Sequence, residues 1–314
     1  MTVPSTKTAE IVDGRTENEV PSTKMVEIVD GRTKNEVPST KMAEIVDGRT
    51  ENMKRITIKV GSNVLTRPDG TLDITRMSAL TDQIAQLHRR GLEIILVSSG
   101  AVASGRSEVH PDMELDSVAA RQIFSAVGQA KLMNRYYDLF RSQGIVCGQV
   151  LTTKYSLELP QHYENQKNCI ESLLSCGVIP IVNENDTISV TELMFTDNDE
   201  LSGWMAQMMS CDMLMILSNI DGIYDGDPSD TSSRLIKEVL PGAGDMSEYI
   251  QEGRSSQGRG GMMTKCSVAR RVAKEGMPVV IANGRREDVI LRVVDGDPHL
   301  PCTRFVSSSC LSSE

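Results

Sequence analysis

Val178-Ile179-Pro180-Ile181-Val182-Asn183-Glu184-Asn185-Asp186-Thr187 is the stretch from which the rest of the chain can be read. Its first half is a β-branched run of strand length, and its second half is a set of short carboxylates and carboxamides. A second polar set follows at Thr196-Asp197-Asn198-Asp199, where Asp199 reads as the opening of a helix through Glu200-Leu201-Ser202-Gly203-Trp204-Met205-Ala206. Asn and Asp are also what turns and helix caps favour, so either cluster alone reads equally well as a polar loop. Together, bracketing one short segment, they can grip an amine, a carboxylate and a metal.

Outward from this stretch, strands are predicted at 55–60, 93–97, 145–151, 213–217 and 279–281, each rich in Ile, Val, Leu or Met. Between them lie helical patterns. The segment 74–90 carries Ile74, Met77, Leu80, Ile84 and Leu87 at helical spacing, with Gly91 past its end. Further helices are predicted over 117–142, near 170–174, and over 201–209 and 264–275. Strands apolar on both faces and separated by helices predict an α/β fold with a mostly parallel sheet covered on both sides. In such sheets ligands sit at the carboxyl ends of the strands.

Composition narrows the function classes. The chain has 314 residues, 39% hydrophobic and 24% charged, ordinary for a globular protein. A net charge of −10 argues against a general nucleic-acid grip. No apolar run reaches membrane-spanning length, and the first residues lack a signal peptide's hydrophobic block. The 7 cysteines are odd in number and form no C-x-x-C pair, so they read as thiols of a reducing cytoplasm. His88, His110, His162 and His299 show no metal-ligand spacing.

The N-terminus is an internal repeat, with copies beginning at Val3, Val20 and Val37, a period of 17. Each unit has too little apolar surface to offset the entropy of ordering it. Residues 1–52 are therefore expected to be a disordered arm, 53–306 the folded domain and 307–314 a flexible tail.

The residues just after each predicted strand are Gly61-Ser62-Asn63, Ser99-Gly100-Ala101, Asn183 to Asp186, and Ser218-Asn219. Small residues with exposed backbone N–H groups at strand-to-helix turns suit phosphate oxygens, although each is equally what a tight turn needs. The run Gly258-Arg259-Gly260-Gly261-Met262-Met263-Thr264-Lys265 also opens a helix. No P-loop, protein-kinase signature or dinucleotide G-x-G-x-x-G occurs. Two lysines stand out. Lys59 lies within a buried strand and Lys265 closes the Gly-rich run; a buried strand lysine is unusual unless it is paired or faces a ligand. With both near one site, their charges could offset a nucleotide's terminal phosphates, and Asp199 is the candidate to hold them apart.

Lys59-Val60-Gly61-Ser62-Asn63, Val97-Ser98-Ser99-Gly100-Ala101, Ala126-Val127-Gly128-Gln129, Val182 to Thr187, Asp197-Asn198-Asp199 and Gly260-Gly261-Met262-Met263-Thr264-Lys265 occur in that order. This series resembles the glutamate 5-kinases of the amino-acid kinase family, over about residues 53 to 306. The resemblance implies an eight-stranded, three-layer α/β/α sandwich that uses MgATP to phosphorylate the γ-carboxylate of L-glutamate, the first step of proline biosynthesis. By motif match, Lys59, Lys265 and Asp199 would be catalytic. Ser99, Asn183, Asp186, Asp197 and Asn198 would hold glutamate. Lys59, Gly61, Ser218, Asn219, Gly260, Gly261, Met262, Met263, Thr264 and Lys265 would contact ATP, the glycines through backbone N–H groups.

Two departures stand out: Ser218-Asn219 replaces a common Thr-Asp or Ser-Asp, and Met194 replaces a lysine some members carry. Many bacterial members add a C-terminal PUA domain, for which this chain, ending at Glu314, leaves no room. The family also implies Mg²⁺ carried by phosphate oxygens and water, hand-over to γ-glutamyl phosphate reductase, and a homo-oligomer. An aspartokinase or carbamate kinase, or a catalytically silent amino-acid or nucleotide sensor, are the alternatives. The two acidic-amide clusters oppose the first and the retained lysine pair opposes the second.

Overall fold

A computed structural model describes residues 53–189, 195, 197–243 and 261–308. The expected disordered arm at 1–52, Met194, Gly258 to Gly260 and positions 309–314 lie outside the described residues. Ser307 is fully buried and the Ser308 hydroxyl donates to the Lys274 carbonyl, so packed structure continues past the expected boundary at 306.

The strands are β1 (Arg55–Val60), β2 (Glu93–Ser98), β3 (Cys147–Thr152), β4 (Ile179–Glu184), β5 (Met213–Ser218), β6 (Ile223–Tyr224), β7 (Leu235–Ile236), β8 (Glu238–Val239), β9 (Val279–Asn283) and β10 (Cys302–Phe305). The helices are α1 (Ser62–Leu65), α2 (Ile74–Arg89), α3 (Ala101–Arg106), α4 (Ser117–Ser142), α5 (Lys154–Glu158), α6 (Pro160–Ser175), α7 (Asn198–Met208), α8 (Met262–Lys274) and α9 (Val289–Val294).

Among the described residues the main sheet has eight strands in the order β3-β4-β2-β1-β5-β9-β10-β8, parallel except where β10 runs antiparallel to β9. A separate antiparallel pair, β6–β7, follows β5.

Strand alternation sorts the core into two layers. Ile56, Ile58, Val60, Ile94, Leu96, Met215 and Leu217 pack on one face with residues of α2, α4 and α9. Ile95, Val97, Val182, Leu214 and Ile216 pack on the other with residues of α6, α7 and α8. This is the expected three-layer α/β/α sandwich. Thr57 and Lys59 alternate with Ile56, Ile58 and Val60, so Lys59 points to the α7–α8 side.

Register brings the functional loops together. Lys59 stands beside Val97 and Ile216, and Val60 beside Ser98 and Leu217. The segments beginning at Gly61, Ser99, Asn185 and Asn219 therefore leave the sheet along one edge. At the opposite edge Arg55 is held by Glu93 and Glu171 through hydrogen bonds of 2.7 and 2.8 Å.

Two glycines explain how α4 reaches the edge that carries the functional loops. A Cβ on Gly128 would fall 1.8 Å from the Ala101 carbonyl oxygen, and one on Gly105 1.8 Å from that of Phe124. Only bare backbone lets α3 and α4 cross this closely. The crossing sets the N-terminal half of α4 over the β4 loop.

Candidate active site

The strand-end segments line one cleft of about 1270 Å³. Its centre is a buried three-charge array. Asp199 is fully buried; its Oδ1 lies 2.5 Å from Lys59 Nζ, and its Oδ2 accepts a 2.9 Å hydrogen bond from Lys265 Nζ. Strand β1, helix α7 and helix α8 each supply one member. Burial alone would push the Asp199 carboxyl up, but the two ammonium groups outweigh it and hold it below the usual carboxylate range.

Helix α7 begins one residue before Asp199. Its N-cap is Asp197, whose Oδ1 accepts from the backbone N–H groups of Asp199 at 2.8 Å and Glu200 at 3.0 Å. The expected helix opening at Asp199 is thus displaced, because the capping carboxylate belongs at 197. Asp197 Oδ2 is buried, lines the cleft side and has no hydrogen-bond partner among the described residues. Burial first, then the charge of Asp199, pushes the Asp197 carboxyl up to about 6.

Asn198, between them, closes an amide network. Its Nδ2 donates to the Ser98 carbonyl, Ser99 Oγ and Asn183 Oδ1 at 3.1, 3.0 and 2.8 Å. Asn183 Nδ2 donates in turn to Gln129 Oε1 at 2.9 Å, and its Oδ1 also accepts from the Glu184 backbone N–H. The β2, β4 and α7 ends are therefore fixed to one another through side-chain amides. Beyond them, Arg121 of α4 pairs with both Glu184 and Asp186.

The other end of the cleft is lined by Gly61, Ser218, Asn219, Gly222, Tyr224, Gly261 and Met262. Just outside, Arg286 holds Asp221 from two sides, Nε to Oδ1 at 2.6 Å and Nη2 to Oδ2 at 2.7 Å, bracing the loop after β5.

The amino acid kinase family model matches residues 54–283. A glutamate 5-kinase from Bacteroides thetaiotaomicron is 63% identical over 255 residues, spanning 81% of this chain and 71% of that one. The chain belongs to the amino acid kinase family, among its glutamate 5-kinases.

A glutamate 5-kinase from Symbiobacterium thermophilum is 43% identical over 245 residues, covering 78% of this chain and 93% of its own. Among solved structures, a UMP kinase from Bacillus anthracis superposes with a TM-score of 0.55 at 16% identity, covering 82% of this chain and 97% of that one. That likeness concerns the fold.

For this glutamate 5-kinase family member, the structure brings Lys59, Gly61, Ser99, Asn183, Asp186, Asp197, Asn198, Asp199, Ser218, Asn219, Gly261, Met262 and Lys265 to one cleft. Gly61 differs in detail. Its N–H already donates to the Leu217 carbonyl at 3.1 Å, so it is not a free phosphate donor. Its use is closeness, since a Cβ there would lie 3.6 Å from Lys59 Nζ and 3.2 Å from the Leu217 oxygen. Met263 and Thr264 are not cleft-lining, and Met263 faces outward at 40% exposure, because α8 turns them away one and two residues after Met262. Gly260 lies outside the described residues.

Sequence reasoning assigned no role to Arg121, Glu184, Gln129 or Arg286. For Glu184 the available signal is a carboxylate ending a buried strand. Arg121 and Arg286 carry no local signal, because their partners are distant in the chain.

Proposed function

We propose that the cleft binds L-glutamate at the Ser99, Asn183, Asp186, Asp197 and Asn198 end and MgATP at the Lys59, Gly61, Ser218, Asn219, Gly261, Met262 and Lys265 end. The reaction is transfer of the terminal phosphoryl group to the γ-carboxylate, giving L-glutamyl 5-phosphate and ADP, the first step of proline biosynthesis. One observation carries this reading. A buried carboxylate, Asp199, holds two lysines, and the adjacent Asn198 ties the same helix start to the amide network of Ser99, Asn183 and Gln129.

The acceptor is already ionised at neutral pH, so the reaction needs no general base. The new bond joins a γ-carboxylate oxygen to phosphorus, and the bond to the bridging oxygen of ADP breaks. The protein's part is alignment and charge stabilisation. Lys59 and Lys265, aimed by Asp199, meet charge on the transferring group and on the departing ADP. Asp197 Oδ2, a buried oxygen with no partner among the described residues, and Asp186, on the same cleft lining, suit the substrate ammonium. Mg²⁺ enters as part of the nucleotide substrate, on phosphate oxygens and water. Among the described residues no helix is long and apolar enough to cross a membrane, and six cysteines are free, which supports a cytoplasmic setting. The acyl phosphate is labile in water, which supports hand-over to γ-glutamyl phosphate reductase. Exposed Val118, Ile123, Val127 and Tyr137 on α4 support a homo-oligomer.

Trapping with hydroxylamine tests the reading. Purified protein with ATP, Mg²⁺ and L-glutamate should yield γ-glutamyl hydroxamate in step with ADP. ADP release without hydroxamate, or none with glutamate, would contradict it.

A further inference from the structure

We infer that Arg121 is a positioning residue for the acceptor: it holds Glu184 and Asp186 as a charged cluster, keeping Asp186 fixed at the cleft wall for the substrate ammonium. The inference rests on the glutamate kinase reading above.

Arg121 lies in the second turn of α4, and a single nitrogen, Nη2, donates to both Glu184 Oε2, at 2.9 Å, and Asp186 Oδ1. The three side chains are largely buried, at 17%, 2% and 10% exposure. Two carboxylates brought to one nitrogen in a partly dry site repel one another, and the shared guanidinium offsets that repulsion. Glu184 is also a hub. Its other oxygen, Oε1, accepts from Ser189 Oγ at 2.8 Å and from the Phe195 backbone N–H at 2.9 Å. The loop carrying Asp186 is thus anchored to Glu184, and Glu184 is anchored to Arg121. Gln122 adds a second tie, its Nε2 donating to the Thr187 carbonyl at 2.8 Å.

Among the described residues, other charged groups line the cleft near this end. Lys59 and Lys265 are engaged by Asp199. Arg106 and His110, from α3 and the segment after it, line the cleft, as does Asp197 from α7. Arg106 sits over the Phe124 ring, 5.6 Å from its centroid. None of these bridges the two carboxylates as Arg121 does.

The test compares Arg121→Ala, Arg121→Gln and Arg121→Lys with the parent in glutamate-dependent ADP release, alongside calorimetric glutamate binding. For the Ala and Gln variants KM for glutamate should rise by about thirtyfold or more while KM for ATP moves by less than about threefold. Arg121→Lys should restore most of the affinity, which a merely structural loss would not predict.

Should Arg121→Ala fail to fold, Arg121→Gln carries the same comparison. An unchanged KM for glutamate, equal rises in both KM values, or no rescue by Arg121→Lys would overturn the inference and leave Arg121 a structural tie. A parent that does not phosphorylate glutamate overturns the function reading itself, and the inference with it.

Discussion

Asp197 and Asp199 stand two residues apart at the start of one helix, yet their carboxyls are driven in opposite directions. Burial and the neighbouring negative charge push Asp197 up to about 6, while Lys59 and Lys265 override burial and hold Asp199 below its ordinary value. One group is a strained anion with an oxygen facing the cleft. The other is a satisfied anion that aims two cations.

The pH consequence follows from the direction of each shift. In the unfolded chain Asp197 releases its proton near an ordinary value of about 3.9, whereas in the folded protein it keeps it until about 6. Folded protein therefore binds more protons across that interval, and this group's contribution to stability falls as pH rises through it. Asp199 acts oppositely, its contribution being present above the unfolded pKa and lost as pH falls below it. Asp197→Asn, which retains a capping oxygen, should match the parent near pH 4 and become progressively more stable than it toward pH 7. Denaturant melts at a series of pH values measure this. A stability difference independent of pH would show that Asp197 ionises freely.

Lys265→Ala should lower kcat by about a hundredfold or more, near 3 kcal/mol of transition-state stabilisation, with a much smaller change in KM for glutamate. Its ammonium is bound to Asp199 rather than to the Asn183–Asp186 cluster, so its loss acts on phosphoryl transfer. Steady-state kinetics on folded variant protein decide. Near-normal kcat removes Lys265 from the catalytic set.

Much of this arrangement was legible in the sequence for a physical reason. Ile56, Ile58 and Val60 alternate with Thr57 and Lys59, and a lysine on a buried strand face demands a partner, which turned out to be Asp199. Helix α4 was legible end to end, because Asp116 caps its start through the N–H groups of Val118 and Ala119 and its length leaves a long pattern. The short elements were not. β8, β10 and α9 have two to six residues, too few for a period, and exist through tertiary pairing. Gly61 read as a phosphate donor, but local sequence cannot show that Leu217 already takes its N–H. Arg121 was invisible because the ion pairs that define it join α4 to the end of β4, 63 and 65 positions away.

Gly128→Ala tests how the acceptor end is assembled. The new methyl would collide with the Ala101 carbonyl at 1.8 Å, backbone against backbone, with no flexible side chain to yield. Helices α3 and α4 would have to separate, at a cost of about 3 kcal/mol or more in stability. Because Gln129 and Arg121 ride on α4, KM for glutamate should rise in whatever protein remains folded. Melting and kinetics together check it, and a variant with parental melting temperature would mean the helix crossing is more compliant than the structure indicates.

The most direct test of the central claim, that the Asn183–Asp186 loop with Asp197 and Asn198 reads the acceptor while the lysine pair receives the phosphoryl group, is the ratio of kcat/KM for glutamate to that for aspartate. Aspartate is one methylene shorter, so with its ammonium and α-carboxylate held, its side-chain carboxylate stops short of the phosphorus. A methylene in an apolar pocket discriminates by about 1–3 kcal/mol, and misplacement of the attacking oxygen adds to that. The ratio should be about a thousandfold or more in the parent. In Asp186→Asn, kcat/KM for glutamate should fall sharply while KM for ATP stays close to the parent's. Comparable kcat/KM for the two amino acids, or an Asp186→Asn protein with unchanged KM for glutamate, would contradict the account.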